Sequence, residues 1–213
     1  TAAVGSVAVR HLAPGDATTL GIIGLGTQGI HQALFACSQR KFSKIYILDL
    51  YPGLYQGFIE KINSIYPGIE IIVASSSSQL CKESEVIITA TNSTTPVLPA
   101  ESDLLINRTI IGVGSYKPDM REFPDILFPL AKYIYVDTLH GLKESGDLKY
   151  PLESGAIKEE NFITADRLVR GSSERGLANV FKSVGMALFD LFSAILVYEK
   201  YGVAKGQNQH PVS

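Results

Sequence analysis

Residues 17–49 read ATTLGIIGLGTQGIHQALFACSQRKFSKIYILD. The run 17–24 is short, apolar and closed by glycine, and residues 27–40 then shift to helical spacing with Ile30, Ala33, Leu34 and Cys37 on one side. That is strand, turn and helix. Residues 44–50 form a second apolar run, and the turn between first strand and helix is Gly24-Leu25-Gly26-Thr27-Gln28-Gly29, a GxGxxG motif. Gly24 allows the tight turn, Gly26 lets the backbone approach a pyrophosphate, and Gly29 lets helix and strand pack closely. A diphosphate would then lie at the positive end of the helix. Asp49, twenty residues beyond Gly29, ends the second strand, where a carboxylate can accept hydrogen bonds from both hydroxyls of an adenosine ribose. No arginine lies in residues 50–56 to meet a 2′-phosphate, so the expected cofactor is NAD rather than NADP.

Outward from this stretch the alternation repeats. A helix is expected over residues 54–65 with Phe58, Ile62 and Ile65 on its face, then strands at 69–74, 85–90, 109–113 and 133–137 and a short helix at 77–84. A Thr/Ser/Pro-rich stretch, 91–107, is long enough to be a functional loop. Residues 141–171 read as loops and short helices, and 179–201 as a long final helix. Apolar strand runs alternating with helices imply an α/β, Rossmann-type, doubly wound and mostly parallel sheet covered on both faces. Ligands of such sheets sit outside the carboxyl ends of the strands. Those ends carry Thr89-Ala90-Thr91-Asn92 and Val113-Gly114-Ser115-Tyr116, small polar residues suited to a nicotinamide ribose and ring.

Composition narrows the function classes. The chain has 213 residues with 19 Lys plus Arg against 21 Asp plus Glu, a net charge of -2, and no basic block of the kind that tracks nucleic acid or an anionic membrane. Residues 181–201 are apolar enough to suggest a membrane span, but Lys182, Asp190, Glu199 and Lys200 favour a buried core helix in which Asp190 needs a partner. The two cysteines, Cys37 and Cys81, have no CxxC spacing and fit a reducing compartment, so the cytoplasm is the expected location. His11, His31, His140 and His210 share no metal-ligand spacing, and no metal is expected.

The stretch 20–29, ITATNSTTPVLP (88–99), GVGSYKPDMREFP (112–124), KESGDL (143–148) and FKSVGMALFDL (181–191) together resemble the ornithine cyclodeaminase/μ-crystallin family in the family's own order. The resemblance implies a Rossmann domain joined to a dimerising substrate domain. It also implies a homodimer using NAD(H) or NADP(H) on small amino or imino acids. Carried over residue by residue, Thr27 and Gln28 match phosphate-turn positions, Asp49 the ribose acid, and Thr89 or Thr91 a cofactor-contacting threonine. Val113 and Gly114 match the stretch beside the nicotinamide, Ser183 a cofactor contact and Val184 a residue that touches substrate.

One position separates the family's activities. Tyr116 stands where the ornithine cyclodeaminases place an aspartate that gives and takes a proton; a phenol can donate but is a poor base near neutrality. The expected activity is therefore an NAD-dependent imine or ketimine reductase of the amino-acid dehydrogenase type. Ornithine cyclodeaminase is the alternative, and a non-catalytic nucleotide- or ligand-binding protein of the μ-crystallin kind is another. The chain opens at Thr1 in what reads as the middle of a helix, implying removal of an initiator Met or a cut from a longer chain. On the family pattern, residues 1–16 are a linking helix from an upstream substrate domain absent from this sequence, 17–170 the NAD-binding domain, and 171–213 a helix returning to the substrate and dimerisation domain. With the family's carboxylate clamp lying upstream, this chain alone is expected to bind dinucleotide and turn over poorly.

Overall fold

The computed structural model describes residues 1–171 and 174–206. Helix α1 (Ala2–Leu12) leads into the expected alternation of β1 (Thr19–Ile23), α2 (Thr27–Cys37), β2 (Lys44–Leu48), α3 (Gly53–Asn63), β3 (Glu70–Val73), α4 (Ser77–Glu83) and β4 (Val86–Thr89). The second half holds α5 (Ser102–Leu105), β5 (Thr109–Gly112), β6 (Ala131–Val136), α6 (Gly141–Glu144), α7 (Gly146–Glu153), β7 (Phe162–Thr164), α8 (Ala165–Val169), β8 (Ala178–Lys182) and α9 (Ala187–Gly206). The eight strands form one sheet in the order β3-β2-β1-β4-β5-β8-β6-β7. Every pairing among them is parallel. The chain leaves β3 on one side of β1 and re-enters on the other at β4, which opens a crevice at the carboxyl ends of β1 and β4.

Two cores cover the two faces, and the period of two along each strand feeds them in turn. Leu20 and Ile22 of β1, Val86 and Ile88 of β4, Ile111 of β5 and Phe181 of β8 enter one core; Ile23, Ile87, Ile110 and Val180 enter the other. Each such side chain contributes about 1.5–3 kcal/mol by leaving water. Helix α1 belongs to the first core through Ala8, Val9 and Leu12. Its end is tied down: Arg40 donates to the carbonyls of Arg10, Ala13 and Pro14, and Thr109 Oγ1 and Asn179 Nδ2 both donate to that of Leu12. The serine run at 75–78 starts α4, with the Ser76 hydroxyl accepting the Gln79 N–H at 3.1 Å.

Three expectations need correction. Residues 179–182 are not helical: they lie in β8, paired between β5 and β6, and the helix begins only at Ala187 after Gly185 turns the chain at a φ of 84°. A strand buried on both faces carries the same unbroken apolar signal as a buried helix, so periodicity could not separate them. Second, the helix is not a core helix in this chain, since Leu191, Phe192, Ile195 and Leu196 are exposed, and Asp190 is exposed too and needs no buried partner. Third, β7 adds a short strand inside a region read as loops and helices. No helix among the described residues is long and apolar enough to cross a membrane.

Candidate functional site

The glycine turn is built as its sequence requires. Gly24 has a φ of 94°, a left-handed conformation that strains any side chain, and a Cβ there would strike the backbone of Ala90 at the end of β4. A Cβ at Gly29 would run into the Gly24 carbonyl oxygen, so this glycine lets α2 sit on the end of β1. Gly26 differs, because nothing lies within 4 Å of a Cβ built on it. The chain itself does not need that space, and Gly26 is also the N-cap of α2, with no side chain capping the helix. The first amide N–H groups of α2 therefore have no partner from the helix or a cap, and the helix dipole adds positive potential at the same place. An open backbone cradle with free donors fits the diphosphate of a dinucleotide.

Asp49 closes the other side of the turn. Its Oδ2 accepts the Leu25 N–H at 2.7 Å and its Oδ1 the Tyr51 N–H at 2.8 Å. Each carboxylate oxygen has a second lone pair, so both can still accept from a ribose hydroxyl. The carboxylate thus braces the turn that it would complete.

A cleft of about 180 Å³ opens at the carboxyl ends of β1, β4 and β5. Gln28, Thr91, Val113, Gly114, Tyr116 and Val184 line it, bringing together residues from four separated segments singled out in the sequence. Thr89 and Ser183 do not line it. Thr89 is wholly buried with no hydrogen-bond partner for its hydroxyl, and the Ser183 hydroxyl donates to Asp137 Oδ2 at 2.7 Å. The same Asp137 oxygen accepts the N–H groups of Val184 and Gly185 and so holds the turn that presents Val184 to the cleft. Tyr116 is half exposed, with the Lys117 ammonium 5.6 Å from its ring centroid.

Beneath the cleft lies a cluster that sequence reasoning missed: Glu122, Asp147 and Lys182, all with side chains wholly out of solvent. The Glu122 carboxylate accepts four hydrogen bonds: from Thr91 N and Oγ1 at 2.7 and 2.9 Å, and from Gly114 N and Ser115 N at 2.8 and 3.3 Å. Asp147 Oδ1 accepts the N–H groups of Glu122 and Phe123. Lys182 Nζ lies 3.6 Å from Glu122 and 3.3 Å from Asp147, at ion-pair distance from both but without a well-directed hydrogen bond to either. Burial pushes the Asp147 carboxyl up, against the pull of Lys182, and Glu122 adds to the rise. A lysine inside the mostly apolar string VFKSVG was the available signal, since its unpaired burial would be prohibitive, whereas Glu122 sits in the charged stretch KPDMREFP and carried none.

No group of His, Cys, Asp and Glu among the described residues can hold a metal ion, and His210 lies outside them. Cys37 and Cys81 are free and buried, and burial pushes both thiols up to about 12, which makes them inert rather than reactive.

A parallel sheet of this order, with a glycine turn braced by Asp49 and a cleft at the switch point, is a Rossmann-type α/β fold. The chain belongs to the ornithine cyclodeaminase/mu-crystallin family, whose model matches residues 1–205. It is 32% identical over 210 residues to a Delta(1)-pyrroline-2-carboxylate reductase of Bacillus cereus, covering 94% of this chain and 62% of that one. It is 33% identical over 208 residues to the ketimine reductase mu-crystallin of Mus musculus, covering 96% and 62%. Among solved structures it is similar to Thermococcus litoralis Delta(1)-pyrroline-2-carboxylate reductase in complex with NADH and L-proline, with a TM-score of 0.85, 30% identity and coverage of 96% and 65%. The chain thus spans less than two thirds of the length of these relatives.

Proposed function

We propose that this chain is the dinucleotide-binding part of an NAD(H)-dependent oxidoreductase that reduces the C=N bond of a small cyclic imino acid such as Δ1-pyrroline-2-carboxylate. The observation that carries this reading is the cleft itself, where Gln28 of the glycine turn meets Thr91, Gly114, Tyr116 and Val184 from distant parts of the chain. The amides of α2 would hold the diphosphate, Asp49 the adenosine ribose, and Val113 with Gly114 the wall beside the nicotinamide. The bound dinucleotide supplies the hydride. Tyr116 is the chain's proton donor for the imine nitrogen, and Val184 faces the substrate. The nucleotide domain runs beyond the expected limit of residue 170 to take in β8, and α1 packs on its first core, so of the segments 1–16 and 171–213 it is α9 that carries the chain toward a substrate and dimerisation domain of a homodimer. The exposed apolar face of α9 supports that assignment.

Calorimetry with NADH and spectrophotometric assay of NADH oxidation with Δ1-pyrroline-2-carboxylate test the reading. Micromolar NADH binding and steady NADH consumption are expected once residues that hold the substrate carboxylate are present. Absence of NADH binding would sink the assignment. Conversion of ornithine to proline without net NADH use would favour cyclodeamination, which the phenol at Tyr116 argues against.

A further inference from the structure

We propose that Glu122 is a positioning residue that fixes the nicotinamide end of the cleft by tying together the turns that follow β4 and β5. This rests on the dinucleotide reading above. Thr91 and Gly114 both line the cleft, one from each turn, and both hang on the same carboxylate. Gly114 is pressed so tightly against Thr91 and Glu122 that no Cβ fits, so the two turns are in backbone contact with the carboxylate wedged between them. Four donors converge on two oxygens, and hydrogen bonds to an ionised acceptor are shorter and stronger than neutral ones. Lys182, on β8, is the cation within ion-pair distance of Glu122 among the described residues, and it shares its charge with Asp147. Glu122 therefore acts on the ligand through Thr91 and Gly114 without itself lining the cleft.

Replacing Glu122 by glutamine keeps the shape but turns one oxygen into an amide whose hydrogens face the N–H groups of one turn. That turn loses its acceptor and meets a donor instead. The fold should survive, because two carboxylates and one ammonium become a matched pair of Asp147 and Lys182. If Glu122→Gln nevertheless fails to fold, Glu122→Asp keeps the charge but is one methylene too short to reach both turns.

The test measures two quantities on the parent chain and the variant. Amide hydrogen exchange should rise at least tenfold at Thr91 or at Gly114 and Ser115, with amides of β1 and β2 unchanged. Affinity for NADH should fall at least tenfold while affinity for ADP-ribose, which lacks the nicotinamide, stays within twofold. Equal weakening of both ligands would show a general structural role and overturn the proposal, as would unchanged exchange at these amides. A parent chain that binds neither NADH nor ADP-ribose instead overturns the functional reading, and the exchange rates still report on whether Glu122 ties the turns.

Discussion

Three glycines of one motif do different work, and single substitutions separate them. Gly26→Ala should leave thermal stability within about 0.5 kcal/mol, since the space around its missing Cβ is open, yet weaken NADH binding more than tenfold by filling the diphosphate cradle. Gly29→Ala forces a methyl into the Gly24 carbonyl and should destabilise the chain by about 1–3 kcal/mol, seen as a lower urea midpoint. Matching effects of the two variants on stability would show that the turn is not built as described. Asp49 carries a second residue-level expectation: its carboxylate repels a 2′-phosphate, so NADH should bind at least tenfold more tightly than NADPH in parallel titrations. Equal affinities would remove Asp49 from the adenosine ribose.

At the scale of the element, β8 brings Lys182 into the interior as an obligate partner of two carboxylates. Lys182→Met should cost about 3–5 kcal/mol by leaving Glu122 and Asp147 buried without a cation, and adding Glu122→Gln should recover part of that loss. Chemical denaturation of the single and double variants decides it. A different carboxylate pins the start of β1 to β4. Burial raises Glu85, but hydrogen bonds from the backbone and side chains of Thr18 and Thr19 outweigh it and hold its carboxyl below the usual range. A depressed carboxylate stabilises the fold above its unfolded value and loses that contribution as pH falls through its folded value. Glu85→Gln should therefore lower stability near neutrality and flatten its fall under acid, and a melting profile parallel to the parent's from neutral to acid pH would contradict this.

For the whole molecule the largest imbalance is α9. Leu188, Leu191 and Ile195 sit three and four residues apart, so they share one helix face, and all three are exposed. A contiguous apolar face of this kind promotes association. The chain should self-associate at micromolar concentration in light scattering, and the double variant Leu191→Glu with Ile195→Glu should shift it toward monomer while NADH affinity stays within twofold. A parent that remains monomeric across that range would show that this face needs no cover.

The glycine turn and the acid that braces it were legible in residues 17–49 because their requirements are local. A positive φ at Gly24, a missing Cβ at Gly29 and a carboxylate at the end of the next strand are conditions on neighbouring backbone, and they leave a fixed spacing in the chain. Alternating apolar runs likewise declared the parallel sheet. Tertiary structure alone decided the rest. Whether 178–182 is strand or helix depends on the gap between β5 and β6, which distant residues create. Glu122, Asp147 and Lys182 carry no common motif, and they become one cluster only when the segment after β5, α7 and β8 bring them together out of solvent at ion-pair distance.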